Sequence, residues 1–167
     1  MFRQGIPITA SFFCAALFAA GCGSSDEFES ETLTFDSPSI KIEVADNPPK
    51  DASIGDTRAF TSPLMDDEGE EVGQLHGTVF VTDVAKQDGE QVEYRTGTIQ
   101  FSLDGGTLVA AGVYVAPVGE TYPAEGGVSR PIVGGTGDYL YARGQVTQTP
   151  TDDGGYSNEL ELELPSE

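Results

Sequence analysis

Cysteine is nearly absent from this chain of 167 residues, with only Cys14 and Cys22, both near the amino terminus. A domain that begins after them forms no internal disulfide and must rest on one ordinary hydrophobic core, which a chain of this length can bury. Histidine is scarcer still, since His76 stands alone. One histidine without cysteines or a spaced carboxylate pair builds no zinc site, and no G-x-S-x-G turn exists to support a hydrolytic triad. Positive charge is also in short supply, with 8 Lys and Arg against 28 Asp and Glu and a net charge of −20. That balance excludes nucleic acid as a partner, because phosphate backbones demand basic patches. The acidic run Asp66 to Glu71 lacks the D-x-D-x-D-G spacing of a calcium loop and reads as a solvated hairpin tip, so no metal is expected.

Long apolar runs are missing as well, apart from Ile6 to Ala20, which is too short to span a bilayer comfortably. Arg3 precedes that run, and Ala19-Ala20-Gly21-Cys22 follows it with the small residues a lipoprotein signal peptidase requires. Residues 1–21 therefore read as a signal peptide, Cys22 as the lipidated first residue, and 22–38 as an acidic flexible tether. This places the protein in a bacterial cell envelope, lipid-anchored on the extracytoplasmic side.

From residue 39 to 167 the chain alternates in short runs separated by Gly, Pro, Asp and Asn, with no helical period of any length. Eight strands are expected, over about 39–45, 56–64, 72–83, 91–103, 107–115, 127–133, 138–149 and 157–164. Asp104-Gly105-Gly106 and Asp152-Asp153-Gly154-Gly155 mark hairpins, and Leu160, Leu162 and Leu164 alternate with glutamates on the last strand. Eight antiparallel strands of this length suit one closed β-barrel, filled or holding a single small ligand.

The most informative stretch is Gly134-Gly135-Thr136-Gly137-Asp138-Tyr139-Leu140-Tyr141-Ala142-Arg143-Gly144. Its glycines allow φ > 0 at a sharp turn, after which Tyr139, Tyr141 and Arg143 fall on one face of a strand and Asp138, Leu140, Ala142 and Gly144 on the other. This stretch resembles the GGTG-D-aromatic-x-x-ARG segment of dirigent proteins and, less closely, the GGAG segment of allene oxide cyclases. Upstream, Gly55 to Leu64 is similar to the cyclase segment GDLVPFTNKL, and Val72 to Gly77 to the VG-x-x-x-G strand that follows it.

The resemblance implies an allene oxide cyclase/dirigent-like barrel that holds a small hydrophobic molecule without any cofactor and guides its cyclisation, isomerisation or stereoselective coupling. A lipocalin-like carrier or a structural surface lipoprotein is the alternative. Asp138 matches the acid/base aspartate proposed in dirigent proteins, with capping of the glycine turn as its structural reading. Glu43 matches the acidic residue of the first cyclase strand, and Tyr114 a site tyrosine. Ser62 and Val79 stand where the cyclase has asparagine and cysteine, so much of the cyclase water-holding network is missing. Tyr94 is expected to line the pocket beside Tyr114, and Leu140 shares the Asp138 face. Relatives are commonly trimeric, which makes a homotrimer the expected assembly.

Overall fold

The structure is a computed structural model that describes residues 28–48, 52–120 and 127–166. The signal peptide, Cys22 and the start of the tether lie outside the described residues. All regular elements among those described are strands: β1 (Phe28–Ser37), β2 (Lys41–Ala45), β3 (Thr57–Met65), β4 (Glu71–Gln87), β5 (Glu90–Leu103), β6 (Gly106–Pro117), β7 (Val128–Gly137), β8 (Arg143–Pro150) and β9 (Tyr156–Pro165). They form one antiparallel sheet in which β3 to β9 follow one another as neighbours, β9 pairs with β1, and β1 meets β3 again. Eight strands thus close a ring, and β2 extends it on the outer edge of β3.

β1 corrects the tether expectation. All ten of its residues pair with β9, from Phe28 against Pro165 to Ser37 against Tyr156. Glu29 and Glu31 obscure its alternation, but Leu33 and Phe35 on the same parity pack against the core. Arg143 also stacks over the Phe28 ring at 4.3 Å. Closure falls to this one segment of chain. At Pro38, which has no amide hydrogen to give a ladder, it leaves β9 and continues as β2 along β3, Lys41 against Thr61 through Ala45 against Thr57.

Hairpin chemistry follows the residues. Asp104-Gly105 turns β5 into β6 directly, with Leu103 opposite Gly106 and Gly105 at φ 87°. At the β3–β4 tip the Asp66 carboxylate accepts hydrogen bonds from the Glu68 and Glu70 amides. The glycine-rich stretch differs from expectation in two ways. Only Gly137 of its first three glycines takes positive φ, at 65°, whereas Gly135 faces so close to the Tyr139 carbonyl that no side chain fits. Residues 138–142 then form a turn rather than the start of a strand, held by Tyr139 N to Thr136 O, Leu140 N to Gly137 O and Ala142 N to Tyr139 O. The chain must reverse between β7 and β8, and that need overrides the alternating pattern.

Alternation sorts the two faces of every strand. Inward residues fill one half of the barrel with apolar side chains: Leu64, Leu75, Ile99, Phe101, Leu108 and Leu160 are completely covered. Each contributes about 1.5–3 kcal/mol of transfer free energy. The loop from β2 to β3 is tied differently, through Asp56, which is 3% exposed and accepts from the Asn47 and Ser53 amides and the Ser53 hydroxyl. The Asn47 amide bond, followed by that of Ser53, holds its carboxyl below the usual value of 3.8. A depressed carboxyl pKa adds stability that is present above the unfolded pKa and lost as pH falls through the folded one. We expect Asp56→Asn to lower the thermal midpoint at pH 7 and to remove part of the wild-type loss of stability below about pH 4, read by thermal denaturation from pH 7 to pH 3.

Candidate functional site

The other half of the barrel is lined by charge. On β5 the inward parity that carries Ile99 and Phe101 also carries Glu93 and Arg95, and on β7 Arg130 sits between inward Val128 and Ile132. All three polar side chains are buried, Arg95 at 0%, Arg130 at 1% and Glu93 at 1% exposure. Glu93 receives Arg95 Nε at 2.6 Å and Arg58 Nη1, from β3, at 3.0 Å. Its carboxylate therefore compensates two guanidinium groups at once, the arrangement that makes burial of such charges tolerable. Arg95 Nη2 also donates to the Glu120 carbonyl at 2.6 Å, which draws the chain after β6 over this end of the barrel.

Arg130 begins a second network. Its Nη1 donates to Gln148 Oε1 at 2.9 Å, Gln148 Nε2 to Asn158 Oδ1 at 2.7 Å, and Asn158 Nδ2 to Ser37 Oγ at 2.9 Å. Four strands, β7, β8, β9 and β1, are linked by this buried relay. Arg130 finds room because Gly97 and Gly112 pair across β5 and β6 on the inner face. A Cβ on Gly112 would lie 3.3 Å from Arg130 Cγ, so any larger residue there would push the arginine aside.

Tyr114 joins the two networks. Its ring lies 4.8 Å from the Arg130 guanidinium carbon and 5.8 Å from that of Arg95, within cation–π range of both. Tyr156, at the start of β9, is close enough for the two phenols to influence each other. Burial first, and Tyr114 second, push the Tyr156 hydroxyl up to about 12. It therefore stays protonated at physiological pH as a hydrogen-bond donor. Arg58, Tyr114 and Tyr156 remain partly exposed above the covered arginines.

The barrel is that of a known family. A model of the allene oxide cyclase barrel like domain matches residues 38–159. The chain belongs to this family. Among solved structures, a pyocyanin demethylase shares 23% identity at a TM-score of 0.61, over 79% of this chain and 99% of that one. The Diels–Alderase AbmU from Streptomyces koyangensis shares 21% at 0.65, over 81% of this chain and 64% of that one. A pterocarpan synthase dirigent protein shares 19% at 0.56, over 91% of this chain and 98% of that one. At these identities the likeness is one of fold. No curated protein matches the chain.

Within the family barrel, the residues singled out from sequence separate into two groups. Tyr114, Ser62 and Val79 do face inward. Ser62 is 2% exposed and gives its hydroxyl to the Pro63 carbonyl, while Val79 is core. Glu43 does not reach the interior, because it pairs with Ala59 and thence with Thr78, all on the outer face. Asp138 lies exposed in the turn after β7, its carboxylate beside Gly105 of the β5–β6 hairpin. Tyr94 and Leu140 are 41% and 51% exposed, Tyr94 on the opposite parity from Glu93 and Arg95, and Leu140 in that same turn. Sequence reading missed Arg95, Arg130 and Glu93. The available signal was charge on the apolar parity of β5 and β7, together with two mid-strand glycines opposite one another.

A raised phenol pKa means stability that is complete below the unfolded value of 10.0 and lost as pH rises through the folded value. We expect an alkaline decline in the thermal midpoint between pH 10 and 12 that Tyr156→Phe removes, together with the loss of one late-titrating tyrosine in an ultraviolet titration.

Proposed function

We propose that the barrel holds a small molecule at its arginine–tyrosine end and guides its cyclisation or coupling by fixing one conformer and polarising an oxygen atom. The observation that carries this reading is the convergence of Arg95, Arg130, Tyr114 and Tyr156 beside an apolar floor of Val79, Ile99 and Ala110. Guanidinium and neutral phenol groups donate only toward an acceptor, and in a site shielded from water they stabilise charge that develops on a carbonyl or phenolic oxygen. Holding a chain folded so that its reacting ends meet removes much of the entropic barrier to ring closure. Solved relatives of this fold are described as a Diels–Alderase, a cyclase of [4 + 2] cycloaddition and a pterocarpan synthase dirigent protein, which supports the reaction class. Cys22 carries the lipid that anchors the domain on the extracytoplasmic side of the envelope.

Incubated with an extract of its host, the purified full chain is expected to convert one component into an isomer or coupled product, separable by chiral chromatography and mass spectrometry. Arg130→Met and Tyr156→Phe lower that turnover by about 10²-fold, the scale of one lost oxyanion donor. Glu43→Gln and Asp138→Asn, outside the chamber, change it by less than about twofold. Retention of a component with no new product would instead identify a carrier, and turnover unaffected by Arg130→Met would remove the site assignment.

The homotrimer expectation belongs to the same proposal. Outward residues of β3 to β6 form four rows of four, from Thr57–Phe80–Thr96–Val113 to Pro63–Gln74–Ser102–Thr107, and none is an Asp, Glu, Lys or Arg. By contrast β9 turns Glu159, Glu161 and Glu163 outward. Copies of a chain with net charge −20 repel except through such a neutral face. We expect sedimentation to show a species heavier than 17.6 kDa and Thr98→Arg, at the centre of the patch, to return it to the monomer.

A further inference from the structure

We infer that the turn between β7 and β8 rests on a lipid bilayer of zwitterionic headgroups, with Leu140 and Tyr141 entering its surface. This rests on the reading of Cys22 as the lipidated residue. Chain length is the first observation. Five residues separate Cys22 from Phe28, the first residue of β1, so the chain between them reaches no farther than about 22 Å. β1 and β9 pair antiparallel over ten residues each, which gives the wall they share a height of about 25 Å at the usual barrel tilt. The lipid therefore keeps the Phe28 end of that wall as the nearer one. Arg143 pairs with Glu163, and Glu163 with Ser30, so the turn that ends at Ala142 stands about 10 Å from the start of β1.

The second observation is what this turn displays. Leu140 is 51% and Tyr141 71% exposed, the one adjacent pair of exposed large apolar residues among those described. Tyr141 also takes φ 67°, a left-handed conformation that bulky residues rarely adopt and that glycine accepts without strain. The turn holds it there, because Tyr139 packs against the core and the Leu140 and Ala142 amides donate to the Gly137 and Tyr139 carbonyls. A strained, firmly held backbone that presents two apolar side chains to water is built to meet a surface. Leucine and tyrosine suit the bilayer interface, where the apolar body enters the acyl boundary and the phenol hydroxyl stays among the headgroups. Charge selects the kind of surface. Burial first, then Glu31, Asp138 and Asp104, push the Tyr139 hydroxyl above its usual value of 10.0, so three carboxylates stand about the turn and oppose anionic lipid. Side-on contact through β9 would set Glu159, Glu161 and Glu163 against the headgroups. Arg95 and Arg130 lie near the starts of β5 and β7, opposite the turn, so the arginine–tyrosine end faces the aqueous phase.

The test uses the lipidated full chain, purified from host membranes and reconstituted into phosphatidylcholine vesicles. The sequence has no tryptophan, so single substitutions report depth: Tyr141→Trp in the turn, and Ile54→Trp at an exposed position on the loop before β3, at the other end of the barrel. Brominated phosphatidylcholine is expected to quench the fluorescence of Tyr141→Trp by more than half and that of Ile54→Trp by less than a tenth. Adding Leu140→Asp to Tyr141→Trp lowers the quenching at least threefold while the thermal midpoint stays unchanged. Vesicles rich in phosphatidylglycerol weaken it. Equal quenching of the two single variants, or no quenching of Tyr141→Trp, overturns the inference. Stronger quenching in phosphatidylglycerol overturns the zwitterionic surface. Flotation separates the inference from the reading beneath it: the wild-type chain floats with vesicles and Cys22→Ser does not. A wild-type chain that fails to float removes the lipid reading and the inference with it, whereas one that floats without quenching at the turn removes the inference alone.

Discussion

Closure of the sheet is the constraint from which the rest of this structure follows. Until β1 bonds β9 and meets β3, with β2 continuing that seam, the leucines of β9 and the guanidiniums of β5 and β7 face the same open concavity and no interior exists. A single segment makes both seams, changing partner at Pro38. Asn158 shows how closely burial depends on it: its amide donates to the Phe35 carbonyl and the Ser37 hydroxyl of the closing strand. Without those acceptors the relay from Arg130 through Gln148 would end on a buried amide left with one long bond, to the Tyr156 carbonyl at 3.5 Å, an expensive outcome in a shielded site.

Closure also explains why the two halves of the interior differ so much. One half is a packed apolar core whose large side chains are fully covered, so it supplies stability and leaves no space. The other is held by hydrogen bonds and ion pairs among Arg58, Glu93, Arg95, Arg130, Gln148 and Asn158, whose net contribution to stability is small compared with the desolvation they incur. The outer wall is divided in a similar manner, with no Asp, Glu, Lys or Arg in the paired outward rows of β3 to β6 and glutamates on β9.

Much of the strand content was legible from local pattern. Alternation located β2 to β7 and β9 to within a few residues, apart from some strand ends, and Asp-Gly pairs placed the β5–β6 hairpin, because a two-residue turn with positive φ fixes its own register. β1 escaped notice because Glu29 and Glu31 occupy inward parity near the barrel rim, where exposure makes charge harmless, and only Leu33 and Phe35 behind them meet the core. The start of β8 was misplaced because residues 138–142 alternate in composition but must turn in space.

The candidate site was legible in part, and the division has a physical origin. Local sequence determined the fold class, the hairpins and the inward parity of Tyr114, since backbone pleating and turn chemistry act over a few residues. It also carried the signature of the family, in the order and spacing of its glycine and aromatic segments. Which polar residues meet inside the barrel was decided only by tertiary pairing. Arg95 on β5, Arg130 on β7 and Asn158 on β9 converge because the sheet curls, whereas Glu43 is turned outward by its partner on β3 and Asp138 by the turn that contains it. Register across strands and closure of the ring are long-range properties, fixed by contacts between residues tens of positions apart, and no local pattern encodes them.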